Sequence, residues 1–234
     1  MDKRQFIKSC ALTAALLPLT GCSSVLAAPS SATRRLLPLA LNKGDTVALV
    51  SPSKATDEAL DLQIAQEVMQ ALGFNVKTGK HLAARRGHLA GTDAERAADI
   101  NAMFADKTVK AIICLRGGSG AARLLPLLDY NLIRNNPKVL LGYSDITALH
   151  NAIHAQTGLV SFHGPNGTGS WNSFNADQFK RVFFDRELMQ YQNVLDAKDE
   201  LVARQNRTVT ITGGKVQGEL VGGNLTVLTA LAGS

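Results

Sequence analysis

The chain has 234 residues, of which 45% are hydrophobic, and its formal net charge is +6. This length allows one or two domains that bury a sizeable core. Residues 1–35 hold five Lys or Arg side chains against one Asp, so they carry a net charge of +4 and leave the rest of the chain close to neutral. Charges distributed in this way do not form the clustered basic face of nucleic-acid-binding proteins. We therefore expect no nucleic-acid partner.

Residues 1–30 predict an export signal, which takes no part in the fold. A basic start precedes an apolar stretch from Cys10 to Thr20, which is shorter than the roughly 20 residues that span a bilayer. The sequence Leu-Thr-Gly-Cys ending at Cys22 resembles a bacterial lipobox, in which Cys22 would be lipidated. We therefore expect a periplasmic protein held at the outer membrane by an N-terminal lipid. Secretion with simple cleavage after Ala27 or Ala28 is the alternative.

After a linker predicted over 31–41, the sequence alternates between β-rich apolar runs and amphipathic segments. The predicted strands cover 46–50, 74–77, 109–115 and 138–141, and the predicted helices cover 57–72, 94–104, 121–128 and 146–156. Ser51-Pro52-Ser53 has the composition of a helix cap, and Thr92 with Glu95 has capping-box spacing. The alternation predicts an α/β fold with a parallel sheet and flanking helices, of the Rossmann or flavodoxin-like kind.

The pattern changes after the fourth predicted helix. We therefore predict an N-terminal α/β domain over 42–158 and the beginning of a second, mixed α+β domain over 159–234 that is cut short. In this second part the sequence predicts a helix over 175–191, short strands over 207–221 and a last helical piece after Asn224.

Two glycine-flanked loops follow the two most apolar predicted strands. One is Arg-Gly-Gly-Ser-Gly over 116–120, and the other is Gly-Tyr-Ser-Asp over 142–145. Both lie at the carboxyl ends of parallel strands, where such sheets bind ligands. A serine at a sharp strand-to-helix turn can be an exposed nucleophile, and a neighbouring glycine loop can offer backbone N–H groups to an oxyanion. The pattern indicates acyl transfer by Ser144, and the alternative is that Ser144 or Asp145 caps the helix.

Seven short motifs occur in a fixed order along the chain. They are VSPS (50–53), LAGTD (89–93), ERAAD (95–99), RGGSG (116–120), GYSDITALH (142–150), FHGP (162–165) and GGNL (222–225). Together they resemble the LD-carboxypeptidase family of serine peptidases, which includes the murein tetrapeptide carboxypeptidases and the microcin C immunity peptidases. The resemblance covers about residues 42–234 and implies no metal or organic cofactor.

By this resemblance Ser144 matches the nucleophile, and the backbone N–H groups of Gly118 and Asp145 match the oxyanion hole. The residues expected to line the site are Arg116, Gly117, Tyr143 and His163. Ser119 is a departure, because the family usually has Tyr at that position.

The resemblance also implies an activity, which is removal of the terminal D-alanine from a murein tetrapeptide through an acyl-enzyme on Ser144. The family takes the Glu and His of its triad from beyond the GGNL motif, where this sequence stops, so we expect the 234-residue chain to be inactive. His150 and His154 do not replace them, because they lie about 9 Å and 15 Å along the helix that Ser144 opens.

Two alternatives to this function stay open. The first is a non-catalytic murein-peptide-binding remnant or pseudogene product, and the second is a microcin C-type peptide–nucleotide hydrolase. The expected partners are a murein peptide and, through the lipid anchor, a membrane, and the sequence leaves a homodimer open.

Overall fold

The computed structural model describes residues 35–192, 201–202 and 206–233. The predicted export signal and the lipidation site at Cys22 lie outside these residues. Within them, no helix has the length and the apolar character needed to cross a membrane.

A five-stranded parallel sheet forms the centre of the fold. Its strands are β1 (Thr46–Val50), β2 (Asn75–Thr78), β3 (Val109–Cys114), β4 (Val139–Gly142) and β5 (Phe162–His163). Their order across the sheet is β2-β1-β3-β4-β5. This is the flavodoxin-like order, in which the chain reverses its direction of growth between β1 and β3. The predicted α/β fold with a parallel sheet is therefore confirmed.

In the described ranges, six helices and two 3₁₀ turns connect and flank the strands. The helices are α1 (Ala59–Ala71), α2 (Asp93–Ala105), α3 (Tyr130–Asn135), α4 (Thr147–Thr157), α5 (Ser173–Phe183) and α6 (Leu225–Ala230), and the 3₁₀ turns cover Ala121–Leu127 and Ser144–Ile146. The predicted capping box at the start of α2 is confirmed, because the side chains of Thr92 and Glu95 each accept from the other's backbone N–H. The turn after β3 contains Pro126, whose missing N–H does not suit an α-helix interior.

The apolar side chains form two clusters, one on each face of the sheet. Alternate residues of a strand point to opposite faces, so Ile112 belongs to the cluster with α2, α3 and α4, whereas Ile113 belongs to the cluster with α1 and α5. Both side chains are fully buried. The central strands are covered on both sides, which explains their continuous apolar sequences.

Two local predictions are wrong. Ser51-Pro52-Ser53 caps no helix, because α1 begins at Ala59 with Glu58 as its N-cap residue. The predicted strands over 207–221 are not formed, since residues 206–221 have no regular secondary structure and their apolar side chains, such as Ile211 and Val216, are exposed. The predicted division into domains after residue 158 stays a prediction.

Candidate active site

Ser144 lies at the carboxyl end of β4, at the first residue of the 3₁₀ turn that leads into α4. Its φ of +64° is in the left-handed region, which a residue with a Cβ atom adopts at a cost of about 1–3 kcal/mol. Neither the turn nor α4 has a side-chain capping hydrogen bond. The capping alternative therefore has no support, and the structure has a strained serine at a strand-to-helix turn, as the sequence predicts.

The glycine loop after β3 packs directly against this serine. A Cβ atom at Gly117 would lie 2.9 Å from Ser144 Cβ, 3.2 Å from Ser144 Oγ and 3.2 Å from the carbonyl oxygen of Tyr143. Real Cβ atoms do not approach to 2.9 Å, so the loop can reach Ser144 only because residue 117 has no side chain. The structure thus brings the two predicted loops together.

The two backbone donors that the resemblance assigns to the oxyanion hole have no acceptor in the described part of the chain. Among the residues that the structure describes, the N–H groups of Gly118 and Asp145 donate to no protein acceptor. Gly118 has a φ of +131°, and a Cβ atom there would lie 2.5 Å from Lys54 Cβ. The segment after β1 therefore packs closely against Gly118. The role of the Gly118 and Asp145 N–H groups in an oxyanion hole stays a prediction.

The side chain of Asp145 links the loops after β1 and β3. It is 6% exposed, and its Oδ2 atom accepts from Ser53 Oγ at 2.5 Å and from the N–H of Ala121 at 2.8 Å. The sequence predicts a backbone role for Asp145 but carries no sign of this side-chain role, because Ser53 lies 92 positions away along the chain.

Arg96 of α2 is a second buried charge at the same loops. Its Nη1 atom donates to the carbonyl oxygens of Pro52 and Gly120, and its Nη2 atom donates to Asp93. Burial lowers the pKa of Arg96, and Asp93 opposes that shift. Within the described structure the Nε atom is buried without a partner. The arginine of the ERAAD motif therefore serves to hold the site loops.

Arg116 begins the glycine loop, but its guanidinium is held at the rim. Its Nη1 atom donates to Asp57 Oδ2 at 3.1 Å and to the carbonyl oxygen of Ala55 at 3.4 Å. Lys54 Nζ also lies 3.1 Å from Asp57 Oδ2. Hydrogen bonds from Lys54 and Arg116 lower the pKa of Asp57, so this carboxylate stays charged and fixes Arg116. The sequence offered no signal for Asp57.

His150 is a packing residue of α4. It is 7% exposed, and its Nε2 atom lies 2.9 Å from the carbonyl oxygen of Gly142 while its Nδ1 atom lies 2.8 Å from Ser161 Oγ. A carbonyl oxygen only accepts, so Nε2 carries the proton and Nδ1 accepts from the serine hydroxyl. Burial lowers the pKa of His150 to about 4, which keeps the ring neutral near pH 7.

None of the other histidines, all of which the structure describes, is hydrogen-bonded to Ser144 either. The ring of His163 lies 6.2 Å from that of Tyr143, and desolvation of the ring lowers the pKa of His163. His154 pairs with Glu219 at 3.5 Å, and His88 Nε2 lies 3.2 Å from Ser119 Oγ. No residue in the described ranges is hydrogen-bonded to Ser144 Oγ.

A cavity of about 660 Å³ opens beside His163. It lies between α4 and β5 on one side and residues 218–223 on the other, and Arg35 and Glu219, which form an ion pair, line it. Over the described ranges, no group of three or more His, Cys, Asp or Glu side chains could hold a metal ion.

Comparisons with known proteins agree with this geometry. The LD-carboxypeptidase N-terminal domain family matches residues 47–164, which contain β1 apart from its first residue, β2 to β5 and both loops. A Bacillus subtilis (strain 168) protein named "Probable murein peptide carboxypeptidase" is 43% identical over 202 residues, which are 84% of this chain and 60% of the relative. The "Murein tetrapeptide carboxypeptidase" of Pseudomonas aeruginosa is 35% identical over 196 residues, which are 80% of this chain and 60% of the relative.

A solved structure has the same architecture. It is that of the microcin C7 self-immunity protein MccF in its wild-type apo state, with a TM-score of 0.69 and 27% identity over 85% of this chain and 66% of that one. The chain spans about 60% of the length of the curated relatives it matches. The family match covers half of the chain and contains the strained serine with its glycine loop. The chain belongs to the LD-carboxypeptidase family.

Proposed function

We propose that the protein is a serine LD-carboxypeptidase that removes the terminal D-alanine from murein tetrapeptides. The observation that carries this proposal is the left-handed conformation of Ser144, packed against Gly117. On the two loops, the N–H groups of Gly118 and Asp145 have no acceptor among the residues that the structure describes. This arrangement has the parts of a nucleophile elbow and its oxyanion hole.

In the proposed reaction Ser144 Oγ attacks the carbonyl carbon of the L–D amide bond and forms a tetrahedral intermediate. The N–H groups of Gly118 and Asp145 donate to its oxyanion, and each such donor is worth about 3–4 kcal/mol of transition-state stabilisation. Collapse of the intermediate expels D-alanine and leaves the acyl group on Ser144, and water then hydrolyses this ester. The described histidines do not supply the base that takes the Ser144 proton.

Sequence identity to two named relatives favours a murein substrate over a peptide–nucleotide substrate. The relative named for murein peptides is 43% identical, whereas the microcin immunity protein of Escherichia coli is 31% identical. A peptide–nucleotide conjugate therefore serves as the second substrate in the test.

The test measures D-alanine release from a murein tetrapeptide by the protein expressed from its own gene. We expect release in the wild type, loss of release below detection in Ser144→Ala, and unchanged release in the exposed control Ser170→Ala. A peptide that ends in D-Ala–D-Ala should stay intact, because its last bond is not an L–D bond.

Other results would contradict the proposal in distinct ways. Tetrapeptide binding without release would indicate a binding protein, and cleavage of the peptide–nucleotide alone would indicate the microcin-type activity. Release that survives in Ser144→Ala would show that another group is the nucleophile.

We also propose that the protein acts in the periplasm, attached to the outer membrane through lipidated Cys22. The lipobox-like sequence before Cys22 and the apolar stretch ahead of it support this location. Cell fractionation should place the wild type in the outer-membrane fraction and Cys22→Ser in the soluble periplasmic fraction. Recovery of both proteins from the cytoplasm would contradict the proposal.

A further inference from the structure

Two buried charged side chains hold the loops around Ser144. Asp145 is 6% exposed and Arg96 is 1% exposed. Each contacts the segment after β1, at Pro52 or Ser53, and each contacts the loop after β3. The two loops are therefore anchored by the same pair of side chains.

The peptide group between Gly120 and Ala121 is held from both sides. Arg96 Nη1 donates to the carbonyl oxygen of Gly120 at 3.1 Å, and Asp145 Oδ2 accepts from the N–H of Ala121 at 2.8 Å. The carbonyl and the N–H belong to one planar unit, so these bonds fix its rotation. This unit lies two residues after Gly118.

The segment after β1 covers Gly118 from the other direction. Ser53 Oγ donates to Asp145 Oδ2 at 2.5 Å, and the N–H of Lys54 donates to the carbonyl oxygen of Gly117 at 3.4 Å. A Cβ atom at Gly118 would lie 3.4 Å from Ser53 Oγ. Gly118 is thus confined between two segments that are both bonded to Asp145.

We propose that Asp145 is a positioning residue for both oxyanion donors, an inference that rests on the proposed function. Its own backbone N–H is one donor. Its side chain, through Ala121 and Ser53, fixes the loop that carries the other donor, Gly118 N–H. One residue therefore sets the distance between the two donors. That distance must suit the oxyanion, which is absent from the substrate and develops as the tetrahedral intermediate forms.

The first test compares Asp145→Ala and Ser53→Ala with the control Asp99→Ala. Asp99 is also a buried carboxylate, 5% exposed, and it accepts from the N–H of His81 at 2.8 Å, away from both loops. The assay measures turnover of the tetrapeptide by protein produced from its own gene, and kcat is normalised to the concentration of folded protein. Misplacing a donor should lower kcat by about 100-fold in Asp145→Ala and about tenfold in Ser53→Ala, with KM within about twofold. Asp99→Ala should keep the wild-type kcat.

The second test is amide hydrogen exchange, which needs no activity. The N–H of Ala121 should exchange at least about tenfold faster in Asp145→Ala than in the wild type or in Asp99→Ala. If the wild type hydrolyses no tetrapeptide, the proposed function fails, and exchange still decides whether Asp145 anchors the loop.

Any one of four results would overturn the inference. The first is a wild-type kcat in folded Asp145→Ala, and the second is unchanged exchange at Ala121. The third applies where Asp145→Ala does not fold, and it is a wild-type kcat in Ser53→Ala, which removes a single hydrogen bond. A drop in kcat equal to that of Asp99→Ala would likewise show a merely structural effect.

Discussion

Gly117→Ala tests whether the close approach of the two loops is needed for the chemistry. The new Cβ atom would lie 2.9 Å from Ser144 Cβ, whereas two carbon atoms in contact are about 3.5–4.0 Å apart. The loop, the serine or both must therefore move by about 0.6–1 Å. The φ of Gly117 is not in the left-handed region, so the substitution acts through this contact and not through backbone strain.

A displacement of this size at a reacting group lowers the rate by about 100-fold. Overpacking should also lower the free energy of unfolding by about 1–3 kcal/mol. The assay is D-alanine release per folded molecule together with urea unfolding. Gly213→Ala is the matched control, because a Cβ atom there meets nothing within 4 Å. A Gly117→Ala protein that keeps both its turnover within about twofold and its stability would refute the reasoning.

Three further predictions concern the base, the buried histidine and a helix cap. A protein limited to residues 1–234 should release D-alanine about 10⁴-fold more slowly than its full-length relatives, because triad enzymes without their base lose at least that much. A rate near theirs would show that a base lies within these residues. The pKa of His150 is about 4 in the folded protein against 6.5 as its ordinary value, so the unfolded chain binds the extra proton as pH falls from about 6.5 to 4. Urea unfolding should show up to about 3 kcal/mol of stability lost over that range, and His150→Gln should show less; equal slopes would contradict this origin. Thr92→Ala removes the capping box of α2 and should lower the free energy of unfolding by about 1 kcal/mol, whereas the exposed Thr226→Ala should have a smaller effect.

The sheet and the strained serine could be predicted because their signals are local. Apolar runs such as 109–114 are long enough to indicate a buried strand, and glycines mark the ends of the two runs that lead into the site loops, at 117–118 and at 142. The capping box at Thr92 is equally local, since its partner is three residues away. For these elements the sequence pattern and the tertiary structure favour the same conformation.

The contacts that hold the site could not be predicted in this way. Ser53 and Asp145 lie 92 positions apart, and Arg96 reaches Pro52 across 44 positions. Only the folded sheet, which brings the ends of β1, β3 and β4 to one edge, makes them neighbours. The strands predicted over 207–221 are not formed for the opposite reason: the local signal is present but the long-range partner is not. The β-branched residues there have strand propensity but meet no strand to pair with.

The left-handed conformation of Ser144 implies that the nucleophilic hydroxyl lowers the stability of the folded protein. Glycine adopts a φ of +64° without the cost that a Cβ atom brings, so Ser144→Gly should fold more stably than the wild type while losing its hydroxyl. A sequence optimised for stability alone would therefore place glycine at this turn. The serine is retained at an energetic disadvantage, which is the expected mark of a residue selected for reactivity.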